Sequence, residues 1–183
     1  MKSVNLKDII IRYILLLLLS IGNLYLIYKI FTPLTIYPVI GLLNLFYESY
    51  LIKETATIYF NGVYVEIIAA CIGGAAYYLL AILNFSTPMD IKKRVSSILF
   101  LTSSFLILNI IRIVIFAVLF SSGFRYFDLT HKLIWYGGST LMVVVLWFVN
   151  ILIFRIKEIP IYSDFHRIIK NIKRNKKSKK AKN

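Results

Sequence analysis

The sequence predicts an all-α polytopic membrane protein. Its core is a bundle of four transmembrane helices, or five if residues 34–52 also cross, with a short outer-face β-hairpin just before the helix that carries the only cysteine. Three observations predict this. Apolar runs recur at close to the ~20 residues that an α-helix needs to cross ~30 Å of hydrocarbon. The composition is 59% hydrophobic with a mean hydropathy of +0.76, which excludes an ordinary water-soluble domain. Basic residues are gathered: residues 155–183 hold eleven of the 22 lysines and arginines, and the loop 90-DIKKR-94 holds three more.

The elements follow in order. The first run, Ile9 to Tyr28, is too long for a signal-peptide core and has no small-residue cleavage site behind it, so it reads as a retained helix. Residues 34–52, LTIYPVIGLLNLFYESYLI, are apolar but interrupted by Pro38, Gly41, Asn44 and Glu48, and fit either an interfacial segment or a fifth span. Next, 57-TIYFNGVYVE-66 alternates about Asn61-Gly62, the strongest short hairpin signal, because a two-residue type I′ turn needs positive φ at both positions. That turn pairs Phe60 with Val63 and Ile58 with Val65 on one face, and Tyr59 with Tyr64 on the other. Three further spans are predicted at Val65–Phe85, Val95–Phe120 and Leu133–Phe154.

Orientation follows from the basic residues, which stay on the cytoplasmic side. Loop 90–94 and the tail are therefore inside and the 121–132 loop outside, which places the hairpin and the Cys71 end of its helix outside as well. Lys2, Lys7 and Arg12 favour an inside N terminus and hence four spans. The domain division is a membrane domain over residues 1–154 and a cytoplasmic tail over 155–183. In the tail, Ile161, Phe165, Ile168, Ile169 and Ile172 fall at helical spacing, predicting an amphipathic helix over 161–173 on the inner leaflet. The final 174-RNKKSKKAKN-183 is too charged to fold, and its expected partner is anionic lipid rather than nucleic acid, since a positive-inside tail explains the charge.

Three residues stand out against this apolar background. Arg112 lies in mid-span, within 108-LNIIRIVIF-116, where a charge costs ~2.5–3.5 kcal/mol on insertion scales and normally faces a partner or a water-filled cavity. Snorkelling to the interface is the alternative. Cys71, in the small-residue run 69-AACIGGAA-76, is a thiol that a neighbouring backbone can approach; buried cysteines are more often inert. His131 opens the last predicted helix, where an interfacial histidine needs no chemistry. With Cys71 and Arg112 each about two turns inside, topology places all three in one outer-leaflet layer.

Among lesser candidates, Asn109 lies one turn before Arg112 and is placed to hold its guanidinium. Glu66 either faces water beside the ribbon or orients His131. Arg125 and Asp128 sit in the outer loop, and 137-GGS-139 allows close helix packing. His166 lies in the tail, on the wrong side for chemistry with Cys71. No metal-ligand cluster, phosphate-binding loop or cofactor motif is present in the sequence, so neither metal nor cofactor is expected.

The order of these motifs resembles the exosortase/archaeosortase family. A hairpin precedes Ala-Cys-x-Gly at the head of a membrane helix, a basic cytoplasmic loop follows, then Asn-x-x-Arg-Ile in the next helix and an outer-face histidine opening the last. Here these read 64-YVEIIAACIGG-74, 109-NIIRI-113 and 131-HKL-133, and the resemblance covers residues 34–154. Where the family commonly carries serine between the cysteine and the first glycine, this chain has Ile72, followed by Gly73-Gly74.

The resemblance implies a multi-pass cysteine protease or transpeptidase with Cys71 as nucleophile, Arg112 as the family's arginine and His131 as third member. Its implied partners are secreted or surface proteins ending in a short motif, a membrane helix and a basic cluster, cleaved near the motif and passed to an acceptor at the membrane, lipid included. Arg125 and Asp128 would then be in reach of the substrate's motif. The residues also allow a non-catalytic reading, a transport or assembly component using Arg112 as a structural or substrate-binding charge, but that reading gives Cys71 no role.

Overall fold

A computed structural model of the chain describes residues 24–156, together with Ile10, Ile11, Ile14, Leu17 and Leu18 in helical conformation. Most of the expected first span, 9–28, and the tail with its expected amphipathic segment 161–173 lie outside the described residues.

Helix α1 runs Tyr25–Leu43 and contains both Pro33 and Pro38. It is one of four described helices long and apolar enough to cross a membrane; the others cover Ala69–Ser86, Ile91–Ser121 and Phe127–Phe154. The segment 34–52 is therefore not a span of its own. Its first half completes α1, and its second half turns at Asn44, whose Oδ1 accepts from the Ser49 backbone N–H at 2.9 Å and from Ser49 Oγ at 2.7 Å, into strand β1, Ser49–Ile52. Pro38 read as an interruption because proline costs ~3 kcal/mol inside a helix. Within a membrane, neighbouring helices and local adjustment satisfy the freed carbonyls, so proline is tolerated.

Strands β2 (Thr57–Phe60) and β3 (Val63–Glu66) form the predicted hairpin in the predicted register, Phe60↔Val63, Tyr59↔Tyr64 and Ile58↔Val65. Asn61 and Gly62 take φ of 47° and 81°, as a type I′ turn requires. Strand β1, which the sequence reading missed, pairs antiparallel with β2 to give a three-stranded sheet in the order β1-β2-β3. One face buries Ile58 and Phe60 against Ile36, Val39 and Leu43 of α1 and Ile110 and Ile113 of the long helix Ile91–Ser121. The other carries Tyr50, Tyr59 and Tyr64 as a ladder, with ring centroids 5.9 and 4.8 Å apart.

The predicted helix from Val65 starts later and is broken. Val65 and Glu66 end β3; a one-turn helix α2, Ala69–Ile72, is separated from α3, Gly74–Ser86, by Gly73 at φ 77°. This left-handed position suits glycine, which has no Cβ to clash. At Gly74 the constraint is space: a Cβ would lie 2.5 Å from the Tyr28 ring of α1. Helix α4 spans Ile91–Ser121, 31 residues, or about 46 Å at 1.5 Å per residue. The last predicted helix begins earlier than Leu133. It consists of α5, Phe127–Leu133, a π-helical turn at Ile134–Gly138, and α6, Ser139–Phe154.

Two interiors hold the helices together. The sheet packs over one; the other joins α1, α3, α4 and α6 through Ile27, Tyr77, Phe105 and Trp147. At the end away from the sheet, fully buried Asn84, Ser97 and Asn150 clamp α3, α4 and α6. Asn84 Nδ2 donates to Ser97 Oγ and Ser97 Oγ to Asn150 Oδ1, both at 2.8 Å. Arg94 closes the adjoining loop by donating to the carbonyls of Asn84 and Thr87. The remaining helix faces expose large apolar side chains, among them Leu99, Ile107, Ile115, Leu141, Phe148 and Leu152 at 53–75%. In water such continuous apolar faces would aggregate, whereas hydrocarbon is their natural solvent. The chain is a multi-pass membrane protein, mostly helical, with a small three-stranded sheet at one end.

Candidate active site

Where the sheet meets the helices there is a cavity of about 530 Å³, within the range of pockets that enclose a small ligand. Cys71, Arg112 and His131 all line it. They arrive on separate elements: Cys71 on α2, Arg112 on α4 and His131 on α5.

Cys71 is held by the break that follows it. It lies in the single turn of α2 rather than two turns inside a long helix, and the interruption at Gly73 leaves the carbonyls of Cys71 and Ile72 without the helical N–H partners that a continuous helix would supply. Asn109 supplies the replacement. Its Nδ2, fully buried on α4, donates to the Cys71 carbonyl at 2.9 Å and to the Ile72 carbonyl at 3.2 Å. The expected contact between Asn109 and Arg112 is thus corrected. Asn109 and Arg112 share a face, but the asparagine reaches across to α2, where one buried and one part-buried acceptor need a donor.

Arg112 is half-buried, and its Nη1 donates to Ser139 Oγ at the start of α6. No carboxylate among the described residues forms an ion pair with it. A guanidinium carries five N–H donors, so the contact with Ser139 leaves others for a ligand. Arg112 also lines a second, smaller cavity of about 220 Å³ together with Tyr28, Gly73, Gly74, Trp135 and Ser139, so the guanidinium stands between two spaces. It lies within electrostatic reach of the Cys71 side chain, as does Glu66.

His131 is oriented by aromatic rings. Phe127, one turn earlier on α5, stacks on it with centroids 5.4 Å apart and planes 7° from parallel, and Phe116 of α4 meets it edge-on at 5.2 Å. No carboxylate among the described residues hydrogen-bonds its ring. Glu66 lines the same cavity without orienting His131.

The lesser candidates divide. Gly73 and Gly74 shape the smaller cavity and not the larger. Arg125 is exposed, outside both, with its guanidinium 5.9 Å from the Tyr126 ring centroid. Asp128, exposed in the first turn of α5, lines neither cavity. Sequence reasoning missed Ser139, noted only for its small size, and Phe116, Phe127 and Trp135. The 137-GGS-139 run was the available signal for a close approach at Ser139; nothing marked the π-helical turn beside it.

The arrangement offers a nucleophile-bearing side chain, a fixed cation and an imidazole around one concave space, the components of acyl transfer through a thiol. No three His, Cys, Asp or Glu side chains among the described residues are placed to hold a metal ion. Comparison of the chain with models of known protein families, with characterised proteins and with solved structures finds no match.

Proposed function

We propose that the chain is an intramembrane cysteine transpeptidase, similar to the exosortase/archaeosortase family, that cleaves C-terminal sorting signals of secreted proteins at the outer face of the cell membrane and passes them to an acceptor. The observation that carries the reading is the shared cavity of Cys71, Arg112 and His131, three residues from separate elements that lie 19 to 60 positions apart in the chain. Positive-inside placement of loop 90–94 and of the basic tail puts the sheet end, and with it this cavity, outside, where exported substrates and acceptors are found.

In this mechanism His131 takes the proton from Cys71 and the thiolate attacks the scissile carbonyl carbon. Arg112 donates to the oxyanion of the tetrahedral intermediate, a role that suits a fixed planar donor in a site of low dielectric. Collapse breaks the C–N bond, and His131 returns its proton to the leaving amine, giving a Cys71 thioester. Attack by an amine or hydroxyl of the acceptor, or by water, then releases the product and restores the thiol. Ser139 orients the guanidinium, and Asn109 fixes the backbone of the nucleophile. The small cavity on the other side of Arg112 gives space beside the reacting carbon.

The test is a comparison of membrane proteomes from the native host after deletion of the chain and complementation with wild type or Cys71→Ala. Proteins ending in a motif, a membrane helix and a basic cluster should lose that tail with wild type and keep it with Cys71→Ala. Loss of the tails with both would overturn the proposal.

A further inference from the structure

We infer that the free edge of β3 is a docking strand for the extended polypeptide segment next to the scissile bond, paired through its backbone to Tyr64 and Glu66. This rests on the proposed function. The alternation of an antiparallel ladder sets which groups are free, because hydrogen-bonded and non-hydrogen-bonded pairs follow one another along it. The Ile67 N–H donates to the Ala56 carbonyl at 3.0 Å, which fixes the phase. Counting back through the register, Val65 with Ile58 and Val63 with Phe60 are bonded pairs, whereas Glu66 with Thr57 and Tyr64 with Tyr59 are not. The N–H and C=O groups of Tyr64 and Glu66 therefore point away from β2, and β3 is the last strand of the sheet.

Three features identify the occupant. The edge is continuous with the reaction cavity: Tyr64, Val65, Glu66, Ile67 and Ile68 form one of its walls and Cys71 another. A strand laid along β3 thus leads directly to the thiol. Natural sheets blunt such edges with proline, charged side chains or a bulge, and 63-VYVE-66 has neither proline nor bulge and a single charge, Glu66, at its end. Finally, a peptide bond enters a nucleophilic site most readily from an extended backbone, and an edge strand supplies that geometry through main-chain hydrogen bonds whatever the side chains. Alternate residues of the docked segment would face the Tyr50–Tyr59–Tyr64 ladder, where sequence preference can arise.

Because the pairing is independent of sequence, a generic peptide suffices to test it, and the only cysteine makes the readout specific. The purified full chain in detergent micelles is treated with acetyl-Ala-Val-Ala chloromethyl ketone, with the same reagent N-methylated at valine, and with iodoacetamide. In each case the thiolate displaces halide to form a thioether on Cys71, and peptide rates are expressed relative to iodoacetamide on the same variant. The unmethylated peptide should react at least about tenfold faster than its N-methyl counterpart, the scale of losing one or two backbone hydrogen bonds. Tyr64→Pro, which removes an outward N–H from an edge where proline is sterically permitted, should abolish that difference, and Tyr64→Phe should retain it. Equal rates for the two peptides on the wild-type chain would overturn the docking strand alone. Failure of every reagent to modify Cys71 would overturn the nucleophile assignment, and the docking strand with it.

Discussion

Replacing Asn109 with leucine, close in size but without a donor, tests how Cys71 is held. The side chain is fully buried, and its Nδ2 serves the two carbonyls freed by the break at Gly73. Removing both hydrogen bonds and leaving one buried and one part-buried acceptor unpaired costs on the order of 2–5 kcal/mol. Against this, Asn109 Oδ1 is itself buried without a partner, and its loss returns about 1–3 kcal/mol. Taking the middle of each range, the net destabilisation is about 1.5 kcal/mol, and at the 2–4 °C per kcal/mol usual for a chain of this length, thermal unfolding in detergent should fall by roughly 3–6 °C. The loss is local to α2, so iodoacetamide alkylation of Cys71 should change by at least about threefold. An unfolding midpoint within about 1 °C of wild type, with unchanged alkylation, would refute the view that Asn109 positions the cysteine.

Two further outcomes are expected. Arg112→Lys should accumulate in the membrane at normal levels yet process substrate at least about tenfold more slowly in pulse-chase, because a compact ammonium on a flexible stem cannot hold the fork that Ser139 orients; near-normal turnover would leave the arginine a role in positive potential only. In a Cys71→Ala background, cysteines introduced at Gly62 and Ser122 should be labelled by a membrane-impermeant reagent from outside, and cysteines at Lys93 and Lys177 only after permeabilisation. Labelling at Lys93 in intact cells would reverse the orientation.

Strong periodic or turn-specific signals were legible in the sequence. Asn61-Gly62 gave the hairpin and its register, since only positive φ at both positions closes a two-residue turn. Arg112 and Cys71 could be brought to one end of the molecule because charge asymmetry orders spans without knowledge of their packing. Local breaks were harder to read. Pro38 looked like an interruption, yet α1 runs through both it and Pro33, because a helix packed within a membrane protein relaxes the usual penalty. Strand β1 stayed hidden because 49-SYLI-52 has no alternation of its own, and its pairing with β2 is a tertiary choice.

The Gly73 break, the cap from Asn109, the Arg112–Ser139 hydrogen bond and the Asn84–Ser97–Asn150 clamp share a cause. Each joins residues far apart in the chain, or depends on a φ value that glycine permits and does not dictate. Single-chain periodicity carries no information on which polar group in one helix faces which in another.

The central claim is that Cys71 forms a covalent acyl intermediate, and the most direct measurement is the mass of the Cys71-bearing peptide from membranes quenched in acid during turnover. The mechanism predicts a hydroxylamine-labile adduct on Cys71 that ends at the cleaved bond of the substrate, and its absence from Cys71→Ala. Processing that continues undiminished in Cys71→Ala membranes would contradict it.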